Sequence, residues 1–200
     1  MKFATALDPI LSSITKVHLL RKLFGAPLRQ WTGRELASAA GVSTAQAARD
    51  LHDLSDAGIV NWDVHGRSFA WYLNRDNALF TELLQLFHHE ADLRSELVHR
   101  MAVEFRSEPI ERARIFGSVA RGDERQDSDV DLFVEIKNTA RRHEVEAALD
   151  RVRDRVWKEF GNPVAPLVYT AAKVKRPPNP ALLATIEREG IEIPHTAEGR

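Results

Sequence analysis

The sequence contains no cysteine, which excludes disulfides and thiolate-held metals. No apolar run approaches the length of a bilayer crossing, and the first residues lack the apolar stretch of a secretion signal. A cytoplasmic protein without membrane contact is therefore expected. Internal repeats and long low-complexity tracts are missing as well. The formal net charge is only −1, so no global basic field points to nucleic acid. The charge is unevenly divided, however. Residues 1–76 hold nine Lys and Arg against seven Asp and Glu, and residues 77–200 hold nineteen against twenty-two. Any nucleic-acid contact needs a local patch, which is better placed in the first half. What is present is an ordinary globular composition: 200 residues, 44% hydrophobic and 28% charged, enough for one large or two small domains.

In the first half, Leu7, Ile10, Leu11, Ile14, Val17, Leu20, Leu23 and Phe24 recur at helical spacing, and Gly25 with Pro27 ends the run. Thr32 can cap a short helix, with Glu35 placed for a capping box. Gly41 breaks that helix. Ser43 or Thr44 caps a second one, whose apolar positions are Ala47, Leu51 and Leu54, and Gly58 closes it. Two strand-like runs, Ile59–Val64 and Ser68–Leu73, meet at a "HGR" tip. This order, and "ELASAAGVSTAQAARDLHDLSDAGIV" in particular, resembles a winged helix-turn-helix over residues 7–75. The resemblance implies double-stranded DNA as partner, with the second helix in the major groove. Carried over, the contact residues are Ser43, Thr44, Gln46 and Arg49, with His65 and Arg67 at the wing tip. Gln pairs with adenine, and Arg with guanine or phosphate. Against this, winged helices also serve as protein-docking modules, and Asp50, Asp53 and Asp56 on the same helix repel phosphate.

Asn77 to Phe105 carries no Pro or Gly, and its apolar stripe from Leu79 to Phe105 predicts a long helix or two with a small break. Such a stripe serves as core or as a homodimer seam. His88 and His89 are adjacent, point to different helix faces and cannot chelate one metal together.

The second half holds "FGSVARGDERQDSDVDLFV". Ala113–Phe116 reads as a short strand that Gly117-Ser118 ends. Glycine lets backbone approach an anion, while helix-start amides and a hydroxyl supply donors. Val130–Ile136 reads as the next strand, with Asp129 and Asp131 at its start. Residues i and i+2 of a strand share a face, roughly 6.6 Å apart. Carboxylates so placed can bridge two divalent ions about 4 Å apart, as in phosphoryl and nucleotidyl transfer.

The joint pattern resembles the minimal nucleotidyltransferases of the DNA polymerase beta superfamily, over about residues 105–195. "LLATIEREGIEI", Leu182 to Ile193, looks like that family's closing helix and turn. The resemblance implies a mixed sheet flanked by helices, Mg²⁺ (or Mn²⁺) and a nucleoside triphosphate. It implies that Gly117 and Ser118 hold the triphosphate, with Arg121 as a further phosphate partner. It assigns Asp129 and Asp131 as metal ligands and catalytic carboxylates. Active members add a third carboxylate on a later strand. Here that strand is expected within Asn162–Thr170, after a helix over Arg141–Phe160, and it offers Ala165 or Pro166 instead. Pro166 removes a ladder donor and predicts an edge strand or a bulge. Glu135 shares the aspartates' face, but lies about 13 Å beyond Asp131. Asp123, Glu124 and Asp127 sit in the spacer.

The expected organisation is multidomain, α and α+β. A winged helix-turn-helix fills residues 1–76, a helical connector 77–106 and a mixed-sheet nucleotidyltransferase fold 107–200. The "KRPPNP" segment, Lys175 to Pro180, reads as a short stiff connector. Three functions are in view. One is nucleotidyl transfer to a hydroxyl. Another is DNA-binding regulation with a degenerate nucleotidyltransferase domain that senses nucleotide or docks a protein partner. The last is membership of a toxin–antitoxin pair.

Overall fold

The computed structural model describes residues 3–66, 68–125, 127–136 and 141–194. The chain forms two compact units, Met1–Asp92 and Leu93–Arg200. Among the described residues, no helix is long and apolar enough to cross a membrane.

In the first unit, helical spacing begins at Leu7, but the α-helix α1 runs only from Ile14 to Gly25. Pro9 disfavours helical backbone at Asp8 before it, and Ser13 takes the N-cap, its hydroxyl accepting from the Lys16 amide at 3.1 Å. Ile10 is still fully buried, through turns rather than helix. A two-residue strand β1 (Trp31–Thr32) leads into α2 (Gly33–Ala40), where Thr32 and Glu35 make the reciprocal capping box. Ser43 caps α3 (Thr44–Asp56). Strands β2 (Val60–His65) and β3 (Ser68–Leu73) form a hairpin, and β1 adds to β3, giving the antiparallel order β1-β3-β2. Leu19, Leu20, Phe24, Leu36, Leu51 and Leu54 are fully buried between the helices. Each such side chain contributes about 1.5–3 kcal/mol of hydrophobic stabilisation.

The long helix α4 (Phe80–Phe105) is unbroken and is shared between the units. Leu83 and Phe87 join the first core, Phe87 stacking on Phe24 at 5.2 Å. Leu97, Met101 and Phe105 join the second.

The second unit continues with β4 (Ile110–Phe116), α5 (Gly117–Arg121), β5 (Val130–Ile136), α6 (Arg142–Phe160) and β6 (Val164–Thr170). It ends with α7 (Ala171–Lys175), α8 (Pro180–Glu189) and β7 (Ile191–Glu192). The sheet order is β6-β5-β4-β7. β4 is antiparallel to β5 and β7, and β5 is parallel to β6, so the sheet is mixed. β6, with Pro166, is an edge strand. Alternation splits β5 between two layers. Val130, Leu132, Val134 and Ile136 pack with Val145, Leu149, Val152 and Val156 of α6. Phe133 packs instead with Tyr169 of β6 and Leu183 and Ile186 of α8. Asp131 lies on this second face, at the start of the strand.

Candidate functional site

The strand–turn–strand unit that holds Asp131 is built by pairing. In the β4–β5 ladder Phe116 stands opposite Asp131. Gly117 follows immediately, with φ +72°, and a Cβ there would fall 2.1 Å from Asp131 Oδ2. Glycine suits this position, because a side chain would be strained in the left-handed backbone and would have to displace the adjacent carboxylate. Ser118 comes next and is half-buried. Its carbonyl accepts from the amides of Gly122 (2.8 Å) and Asp123 (3.1 Å). Its hydroxyl makes no hydrogen bond among the described residues and is free to meet a ligand.

Arg121 closes α5, its Nε 3.1 Å from Asp123 Oδ2. Burial pushes the Asp131 carboxyl above the usual carboxylate range, and the Asp129 charge adds to this, while the Arg121 guanidinium pulls the other way. Asp129 itself is exposed. The five predicted residues therefore share one corner of the sheet: Gly117, Ser118, Arg121, Asp129 and Asp131.

This corner sets the charge of Asp129 beside a partly buried Asp131. A divalent cation suits it, because hard oxygen ligands on one strand face, completed by phosphate and water, are what Mg²⁺ takes. The protein's own contribution stops at two carboxylates. Among the described residues no group of three His, Asp or Glu could hold a metal ion. Register settles which β6 residue faces the pair. Asp131 is opposite Ala165 and Leu132 is opposite Pro166. Ala165 therefore shares the aspartates' face, and Pro166 turns to the other. Glu135 is committed elsewhere: buried, it takes Arg112 Nε at 2.6 Å, and Arg112 also reaches Glu187 at 3.2 Å.

One neighbour has no local sequence signal. Gly122, with φ +76°, is overlain by Arg94 of α4, whose Nη2 would lie 2.6 Å from a Cβ there. Arg94 makes no ion pair among the described residues, so it brings an uncommitted guanidinium to the turn after α5. Only the tertiary fold brings it there from 28 positions upstream.

In the first unit the residues predicted to meet DNA are partly engaged within α3. The Ser43 hydroxyl accepts from the Gln46 amide at 3.2 Å. Gln46 Nε2 donates to Asp50 Oδ1 at 2.9 Å, and Arg49 Nη2 donates to Gln46 Oε1 at 2.5 Å. Asp50 is buried and Asp53 pairs with Lys16 at 2.9 Å, so two of the three carboxylates on this helix are tied to protein partners. Thr44 lines an open cleft. The side chain of His65 and the whole of Arg67 lie outside the described residues.

No match was found among curated proteins. Residues 98–193, which include every strand of the second sheet, match the family model of the nucleotidyltransferase domain, and this part of the chain is similar to that family.

Proposed function

We propose that the second unit binds a nucleoside triphosphate with Mg²⁺ or Mn²⁺, and that its chemistry is nucleotidyl transfer limited by an incomplete carboxylate set. The observation that carries this reading is Asp131, held against Gly117 and carrying a proton affinity that a cation would offset. In this reading Gly117 and the Ser118 hydroxyl receive the triphosphate, and Arg121 neutralises it. Asp129 and Asp131 hold the metal, which would supply charge stabilisation at the transferring phosphoryl group. Ala165 cannot accept a proton from an attacking hydroxyl, so turnover falls by several powers of ten relative to a complete site. The test has two arms. Calorimetry with NTP and Mg²⁺ should show binding that Asp131→Asn abolishes. Labelled NTP offered with protein, RNA and small hydroxyl acceptors should show slow transfer or none. Absence of nucleotide binding sinks the proposal.

A second reading concerns the first unit as a winged helix on double-stranded DNA. It is supported by the pairing of Asp53 with Lys16 and the burial of Asp50, which reduce the repulsion of phosphate along α3. Arg49 then carries the contact. A salt-titrated shift assay checks it: Arg49→Ala should weaken duplex binding and lower the salt slope by about one. A regulator or toxin–antitoxin role rests on this reading and on gene neighbourhood. Self-association through α4 has support from its exposed Leu86 and Leu93, one heptad apart, and sedimentation would test it.

A further inference from the structure

The first unit carries an aromatic surface that neither reading uses. Val60, Trp62 and Val64 on β2 stand opposite Leu73, Trp71 and Phe69 on β3, so all six share one face of the hairpin. At the base of the hairpin Val60, Leu73 and Trp71 are buried, but Trp62 is 41% exposed and Phe69 42%. Their rings meet edge to face at 4.9 Å. Asp63 is on the opposite face of the hairpin, beside Tyr72.

This face runs into a cleft of about 630 Å³ between the hairpin and the starts of α2 and α3. His52 of α3 stands edge-on to Trp71 (5.1 Å) and to Phe69 (6.2 Å) within it. Trp71 is only 3% exposed and lines the cleft with Phe69 and His52. Among the described residues no carboxylate lines the cleft, and Arg34 at its rim makes no ion pair. Glu35, the nearest acid in sequence, is turned back onto the Thr32 amide and hydroxyl at 2.9 and 2.8 Å. The hairpin face and its cleft thus join exposed aromatic rings with positive charge.

We propose that this face binds single-stranded nucleic acid. Unstacked bases lie on Trp62 and Phe69, and one base enters the cleft beside His52 and Trp71. Arg34, with the amides at the starts of α2 and α3, meets the phosphates. Duplex bases are stacked on each other and cannot reach these rings. The inference does not depend on nucleotidyl transfer, and it uses residues distinct from Arg49.

The test is fluorescence anisotropy on the full chain. The probes are labelled oligothymidylate of about 12 nucleotides and a duplex of equal length. Trp62→Ala and Phe69→Ala should each weaken single-strand binding about tenfold or more. They should leave duplex binding and Mg-NTP binding within twofold, while Trp62→Phe retains most of the single-strand affinity. Intrinsic tryptophan fluorescence of the unaltered protein should be quenched on binding, which serves where a variant fails to fold. Failure of the unaltered protein to bind single strands overturns the proposal. Equal losses on single strand and duplex, or no loss in either alanine variant, overturn it too.

Discussion

The Asp131 carboxylate lies against the backbone of Gly117, with Oδ2 2.1 Å from the point where a Cβ would stand. The two halves of the motif are therefore one object. A side chain at 117 must displace the carboxylate, and it must do so in a left-handed conformation.

Gly117→Ala is the direct test of that contact. It should cost about 1–3 kcal/mol of stability through backbone strain, and it should abolish Mg-NTP binding. Thermal unfolding and calorimetry read the two effects separately. Binding that survives the substitution would show that the carboxylate position is unimportant.

The raised proton affinity of Asp131 fixes a sign. Its folded pKa lies above its unfolded value of about 3.9, so the folded state holds the proton more tightly. Without divalent ions, stability contributed by this group is present at low pH and is lost as pH rises through the window between the two values. Asp131→Asn should therefore raise the melting temperature at pH 7 in the presence of EDTA, and leave it unchanged near pH 3. The same substitution should remove metal binding, so that stability and function move in opposite directions.

Ala165 is the row mate of Asp131. Ala165→Asp should supply the missing carboxylate and raise nucleotidyl transfer by about two powers of ten or more, as read by incorporation of labelled nucleotide. Pro166→Asp, on the opposite face, should give no such gain. Equal inertness of both, with NTP still bound, would place the limit on turnover elsewhere.

Glu135 is 7% exposed and depends on Arg112. Arg112→Ala strands a buried carboxylate and should destabilise by about 3 kcal/mol. Glu135→Gln should leave Mg-NTP affinity unaltered, since this carboxylate is not a metal ligand. Denaturant unfolding and calorimetry check the pair.

Much of this site was legible in the chain because its parts are local. Val130–Ile136 is a mostly apolar run entered through Asp129, and the strand has those bounds. The Gly-Ser turn follows from residue type. What pattern could not reach depends on pairing between distant segments. The Gly117–Asp131 contact arises from the Phe116–Asp131 register, the choice between Ala165 and Pro166 from the β5–β6 register. Arg94 reaches the α5 turn only because α4 packs on the same core. Near the N-terminus, periodicity alone overruns the start of α1, because an apolar spacing cannot report that Pro9 disfavours helix at Asp8 and that Ser13 takes the cap.

Pro166 has a meaning beyond the site. Among the described residues β6 ends the sheet with one side unpaired, next to a strand whose residues are almost all buried. An open edge beside such a strand is a template on which a second molecule can extend the sheet. A proline in the middle of that edge interrupts the row of donors an incoming strand needs. The residue beside the absent carboxylate thus guards the protein against aggregation through its sheet.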